Sequence, residues 1–293
     1  MKTLIPYIGG KHRIAVKLAE FLRSTGADTV VDVFGGSAAV LLNSGFRKRV
    51  YNDADGDLVN LMRVIASDAM RPKLLRMIRL FPAARRIFED HYREYIGNSF
   101  SFAHVADPVE RAFRTFYRHQ FAFGGKSRTG GFTLSCGDRP EIKEVQRYRN
   151  GIRRIAELGV FFRETAIECM DYQDCIATYG RRHNIVLFVD PPYYGKENYY
   201  SHAFRRADHV WLAQQLATVA AAVCCTYYDD PMIRELYPVG DWTWTPIPNV
   251  KNSQGHGSQK HAATDWVLMR SNVPVMRGSE PSRPTDCSAG GGS

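Results

Sequence analysis

The stretch LFVDPPYYG, residues 187–195, joins an apolar run to one acid, two prolines and two tyrosines. Proline lacks an N–H and holds φ at about −65°, so the Pro191 carbonyl points in a fixed direction. Asp190 sets a second, charged acceptor beside it, and Tyr193 supplies a flat apolar face. Two acceptors and a stacking plane suit a planar group that carries an NH₂, such as the exocyclic amine of a nucleobase. The structural alternative is a diproline linker that caps a strand. A loop that only has to turn draws more readily on Gly, Asn or Asp.

Other stretches offer ligand chemistry. DVFGGSAAV (32–40) combines a strand end, small residues and a helix start, so the backbone can approach a ligand closely. Any tight strand-to-helix turn reads the same way, and the absence of G-x-G-x-x-G argues against a dinucleotide fingerprint. Asp53 follows about twenty residues later, where an acid at the end of a second strand can accept from ribose hydroxyls. Its alternative is the N-cap of the next helix, a role that Asp55 or Asp57 can also fill. PYIGGK (6–11) is either a terminal loop or a Gly-Gly turn that brings Tyr7 and Lys11 against a ligand.

These residues need a scaffold. HRIAVKLAEFLRS (12–24) has helical apolar spacing, DTVVDVFGG (28–36) reads as a buried strand and turn, and AAVLLN (38–43) predicts a helix opening. KRVYND (48–53) reads as a second strand and DLVNLMRVIAS (57–67) as a helix. Strand–helix–strand alternation predicts a parallel sheet with helices on both faces, an α/β Rossmann-like core. The alternation stops over residues 70–158, which look helical at each end around a Gly/Ser/Thr-rich loop or small hairpin. It resumes at 160–171, 185–190, 209–220, 222–228 and 264–269. The expected organisation is a core of 1–69 and 159–273, a mostly helical insertion of 70–158, and a disordered polar tail of 274–293. Asp32, Asp53, Asp171 and Asp190 all fall at strand ends, where ligands of such sheets bind.

The chain has 293 residues and a formal net charge of +9. From 111 to 154 there are eleven Lys/Arg against three acids, interleaved with Tyr117, Phe121, Phe123, Phe132 and Tyr148. That excess suits a polyanion. Arg114 and Arg118 share a helix face with Arg111 close by, which predicts phosphate contacts, and Lys126 and Arg128 in GGKSRTGG are expected to read bases. The alternative is a solvated helix surface. The six cysteines lack metal-ligand spacing, so neither a zinc site nor a disulfide scaffold is expected. No apolar run is long enough to span a bilayer, and a cytoplasmic, DNA-associated location is expected.

In order, PYIGGK, DVFGGSAAVLLN, YNDADGDL, CMDY, DPPYYG and FRRADHVWLA resemble the Dam-type, D12 class DNA adenine-N6 methyltransferases over most of residues 3–270. The resemblance implies S-adenosyl-L-methionine as methyl donor, S-adenosyl-L-homocysteine as product, no metal, double-stranded DNA as partner, no obligatory protein partner and a bacterial or phage setting. It implies cofactor contacts from Tyr7, Gly10, Lys11, Asp32, Phe34, Gly35, Gly36, Ser37, Asp53, Asp171 and Asp190. Asp53 would take the ribose and Asp171 the adenine side, while Asp190, Pro191, Pro192 and Tyr193 would form the catalytic loop. The 70–158 insertion stands where the family has its target-recognition domain. Ala38 replaces the second glycine of the family's D-x-F-x-G-x-G turn. Rival readings are N-methylation of RNA or of a protein amide, a silent DNA-binding protein on this scaffold, and a plain structural domain. Against the first, such enzymes more often carry Asn before Pro-Pro-Tyr.

Overall fold

TVVD, IVLFV and AVCCTY carry no charged side chain on either face before the strand end. Such segments bury both faces, as the inner strands of a parallel sheet must. A computed structural model describes residues 1–7, 9–123, 130–135, 141–195, 204–252 and 260–270, with the backbone alone for 249–252 and 260–263. In it, β1 (Thr29–Asp32), β2 (Lys48–Asn52), β3 (Ala166–Glu168), β4 (Ile185–Val189) and β5 (Ala222–Tyr227) form a parallel sheet. An antiparallel hairpin of β6 (Thr243–Asn252) and β7 (Lys260–Arg270) extends it, in the order β3-β2-β1-β4-β5-β7-β6. The strand order reverses between β1 and β4, and a cleft opens there beyond the carboxyl ends.

Alternate residues divide the core between the two faces. Val30, Val186, Phe188 and Cys224 face one layer, while Val31, Leu187, Val189, Val223 and Cys225 face the other. The first layer holds α1 (Ala15–Ser24) and α2 (Gly56–Ala66). It continues into α3 (Arg71–Leu80), α4 (Arg85–Gly97), α5 (Pro108–Phe121) and α6 (Lys143–Arg163). The second holds α7 (Tyr172–Tyr179), α8 (Arg206–Leu216) and α9 (Pro231–Leu236). Helix α6 runs unbroken past residue 158, and its Phe162 packs edge-on against Tyr51 of β2 at 5.8 Å.

Several expectations need correction. AAVLLN forms a single 3₁₀ turn, Leu41–Asn43, instead of an α-helix. It lies between two left-handed residues, Ala38 at φ 58° and Gly45 at φ 78°, which leaves no room for a longer helix. Residues 160–163 are the last turn of α6, so the strand pattern returns only at Ala166. The β6 strand escapes pattern reading because Pro246 and Pro248 interrupt it. Both are tolerated because β6 is the sheet edge. The expected hairpin between α5 and α6 is present at its base, where Phe123 N–H donates to Gly131 O at 2.9 Å and Thr133 N–H to Phe121 O at 2.9 Å. Lys126, Arg128 and the 274–293 tail lie outside the described residues. Among the described residues no helix is long and apolar enough to cross a membrane.

The basic segment turns much of its charge inward. Arg118 is only 2% exposed, and its guanidinium lies 3.9 Å from the Tyr95 ring centre and 4.9 Å from that of Tyr92. Burial lowers its pKa, and Tyr95 and Tyr92 offset part of that fall. A phosphate cannot reach it in this conformation. Arg111 is held by the buried Asp57 at 2.6 Å, and Arg114 by Glu94 and Glu110. Arg147 Nε donates to Gln120 at 3.0 Å, and Arg154 to Thr3 O at 3.2 Å. The helical layer thus consumes these cations as internal fasteners.

Arg118→Ala therefore loses the packing of a long stem and a cation–π pair rather than a DNA contact. It is expected to lower unfolding free energy in urea by about 2–4 kcal/mol. The salt dependence of DNA binding should keep its wild-type slope.

Candidate active site

The cleft forms where the turns after β1, β2, β3 and β4 converge with the N-terminal loop. Its lining includes Tyr7, Gly10, Lys11, Asp32, Phe34, Gly35, Gly36, Ser37, Asp53, Asp171, Asp190 and Pro192. It encloses about 940 Å³ including its open mouth. Pro191 and Tyr193 are buried just behind it.

Close packing explains the glycine turn. A Cβ on Gly35 would lie 2.3 Å from the Tyr51 ring and 2.7 Å from Asn52 O, so the turn can sit flush on β2 only with glycine there. Gly36 has φ +47°, and a Cβ on it would come within 2.8 Å of the Tyr7 ring. Asp53 fastens the turn from the other side, because Gly36 N–H donates to its Oδ2 at 2.7 Å. Asp55 is the helix cap, accepting from Asp57 N–H and Leu58 N–H, so Asp53 is left to face the turn and the cleft. Asn52, fully buried, ties three strand ends together. Its amide nitrogen donates to Val33 O and Met170 O, and its oxygen accepts from Met170 N–H.

The cleft has an acidic side and an aromatic wall. Asp32 is 2% exposed, and its Oδ1 has no partner among the described residues. Burial raises its pKa well above the ordinary carboxylate value, and the charges of Asp190 and Asp53 add to the rise. Asp171 caps α7, accepting from Gln173 N–H at 2.9 Å. Phe34 stacks on Tyr172 at 5.5 Å, and Phe204 closes the group at 5.3 Å from Tyr172. Planar apolar surface above a set of acids suits a heterocycle joined to a cationic group.

At the inner end lies DPPY. Lys11 Nζ is 2.8 Å from Asp190 Oδ1 and 2.9 Å from Oδ2, and it also donates to Gly9 O at 2.9 Å. The same ammonium lies 4.6 Å from the Tyr193 ring centre. Thr226 Oγ1 donates to Asp190 Oδ1 at 2.6 Å. The Tyr193 hydroxyl donates to Asp265 Oδ1 at 3.3 Å, and its ring meets Tyr228 edge-on at 4.3 Å. Tyr193 is 4% exposed, and burial first, then Asp190 and Asp265, raises its pKa well above the ordinary phenol value. It is therefore a neutral ring with its hydroxyl fixed.

Pattern reading missed Tyr172, Phe204, Thr226 and Asp265. Tyr172 follows Asp171 directly and could have been weighed with it. The other three reach the site only through strand order and helix packing, which no local motif encodes.

The chain matches the D12 class N6 adenine-specific DNA methyltransferase family over residues 7–243. It is 25% identical to the retron Ec67 DNA adenine methylase of Escherichia coli, over 99% of this chain and 98% of that protein. It is 24% identical to the DNA N-6-adenine-methyltransferase of Escherichia phage P1, over 90% of this chain but only 35% of that longer protein. It is 23% identical to the DNA adenine methylase of Salmonella typhi, over 80% of this chain and 84% of the relative. The match spans the N-terminal loop, the glycine turn, the inserted helices and DPPY in one continuous stretch, and the chain belongs to the D12 class N6 adenine-specific DNA methyltransferase family.

Proposed function

We propose that this chain transfers a methyl group from S-adenosyl-L-methionine to the N6 amine of an adenine flipped out of double-stranded DNA. The observation that carries the reading is the seat of Lys11. An amine already sits on the Asp190 carboxylate and over the Tyr193 ring, where a target amine needs its acceptor and its stacking face.

The residues fit the donor. A methionine ammonium is a natural partner for the orphaned Oδ1 of Asp32, and a sulfonium is favoured by the surrounding acids. Asp53 and Asp171 are assigned to the ribose and adenine ends, with Phe34, Tyr172 and Phe204 as the apolar wall. Tyr7, Gly10, Lys11, Gly35, Gly36 and Ser37 complete the enclosure. When bound, the donor supplies a methyl group on a good leaving group, so no covalent enzyme intermediate is required.

Adenine N6 is a weak nucleophile because its lone pair is shared with the ring. Asp190 and the Pro191 carbonyl accept its two N–H groups, which favours a tetrahedral nitrogen and stabilises the positive charge it gains in the transition state. Fixed positioning supplies much of the remaining acceleration. Proton loss follows methyl transfer, since a carboxylate is too weak a base to deprotonate an aniline-like N–H beforehand. For the base to reach Tyr193, Lys11 must swing away from both ring and carboxylate. Flipping costs a few kcal/mol, and stacking on Tyr193 offsets about 1–3 kcal/mol of it. The insertion, whose sequence includes Lys126 and Arg128, is assigned to DNA reading.

Asp190→Ala is expected to cut methyl transfer from labelled donor by about 10²–10³-fold while DNA binding and folding persist. Asp190→Asn, which keeps one acceptor oxygen, should lose less. Turnover at the wild-type rate by Asp190→Ala would remove the catalytic assignment.

Asp32 generates a pH prediction. Its raised pKa means the free protein holds it protonated above the usual carboxylate range, whereas a cationic ligand favours the ionised form. Affinity for sinefungin, a cationic donor analogue, should fall as pH is lowered through that raised pKa. Binding near it should release a proton, measured by calorimetry in buffers of different ionisation enthalpy. Asp32→Asn should abolish both effects.

A further inference from the structure

We infer that Thr226 is a positioning residue for the methyl-transfer step. From β5 it holds the Asp190 carboxylate so that Oδ2 faces the incoming amine. This rests on the assignment of Asp190 above.

Asp190 follows the last residue of β4. The register pairs Val189 with Cys225, so the next step along the two strands sets Asp190 beside Thr226. The two prolines after Asp190 fix the backbone but not its side-chain torsions. Those would be free to place either oxygen, or neither, toward the cleft. Thr226 is fully buried, and its hydroxyl lies 2.6 Å from Oδ1. A carboxylate can only accept, so the hydroxyl donates, and the distance is that of a charge-assisted bond. Lys11 also touches both oxygens, but it reaches them from the N-terminal loop and must leave when the amine arrives. Once it leaves, Thr226 is the side chain that still holds Asp190 among the described residues, and it engages Oδ1. Oδ2 is thereby the acceptor presented to the substrate. On the other side of the loop, Asp265 of β7 fixes the Tyr193 hydroxyl, so acceptor and stacking ring are each held from the sheet.

A buried threonine hydroxyl needs some partner whatever its role, so the test must separate positioning from mere stability. Thr226→Val keeps the shape and removes the donor. The expected result is a 10–100-fold fall in kcat, with KM for DNA and the dissociation constant for S-adenosyl-L-homocysteine within about threefold of wild type. Thr226→Ser restores the hydroxyl and should bring kcat back to within about threefold. If Thr226→Val does not fold, Thr226→Cys, a weak donor of similar size, carries the same comparison with Thr226→Ser. A folded Val or Cys variant with wild-type kcat would overturn the inference. So would a folded Ser variant that fails to recover. Asp190→Ala is run beside them. If it is inactive while Thr226→Val keeps wild-type kcat, only the role of Thr226 falls. If Asp190→Ala itself turns over normally, the reading of Asp190 and this inference fall together.

Discussion

Everything in the cleft depends on keeping one carboxylate, Asp190, fixed at the end of a buried strand. It is held at 15% side-chain exposure by a cation from the N-terminal loop and a hydroxyl from the neighbouring strand. Burying a charge is costly unless it is paired and hydrogen-bonded. The fold meets that cost by bringing Lys11, 179 residues away in the chain, and Thr226, 36 residues away, to the same carboxylate. In the proposed reaction the Lys11 bond is also the one that breaks when a base enters. There the cation that stabilises Asp190 competes with the amine that Asp190 would accept.

The glycine-turn side of the cleft follows the same logic of convergence. Asp53 is tied to Gly36, Gly35 lies against Tyr51, and Asn52 joins three strand ends. The glycine turn, the acid after β2 and the acid before α7 thus form one rigid rim. Ala38, where the family has a second glycine, sits at φ 58° and is fully buried. Its backbone adopts the conformation a glycine would take, at a cost of about 1–2 kcal/mol for a residue with a Cβ.

Much of this could be read from local patterns. The continuous apolar runs of β1, β4 and β5 announced inner parallel strands, and the acids at strand ends announced the rim, because both signals are local. What stayed hidden was non-local or ran against local preference. The prolines of β6 disguised an edge strand, and AAVLLN had helical composition but too little length between two left-handed residues. Thr226 and Asp265 carry no motif and act only through strand order. In the basic segment the placement of the charges was not legible. Charge counted along a chain is not charge on a surface, and Arg111, Arg114 and Arg118 are occupied by Asp57, by Glu94 and Glu110, and by two tyrosine rings.

Methyl transfer to adenine N6 in DNA leaves its product in the genome of a host that lacks adenine methylation and expresses this chain. Nucleoside mass spectrometry with modification-sensitive sequencing of that DNA should find N6-methyldeoxyadenosine concentrated at one short sequence motif, and none in DNA from cells carrying the Asp190→Ala variant. Methyl groups on cytosine alone, or unmodified DNA from cells that contain the folded wild-type protein, would contradict the account.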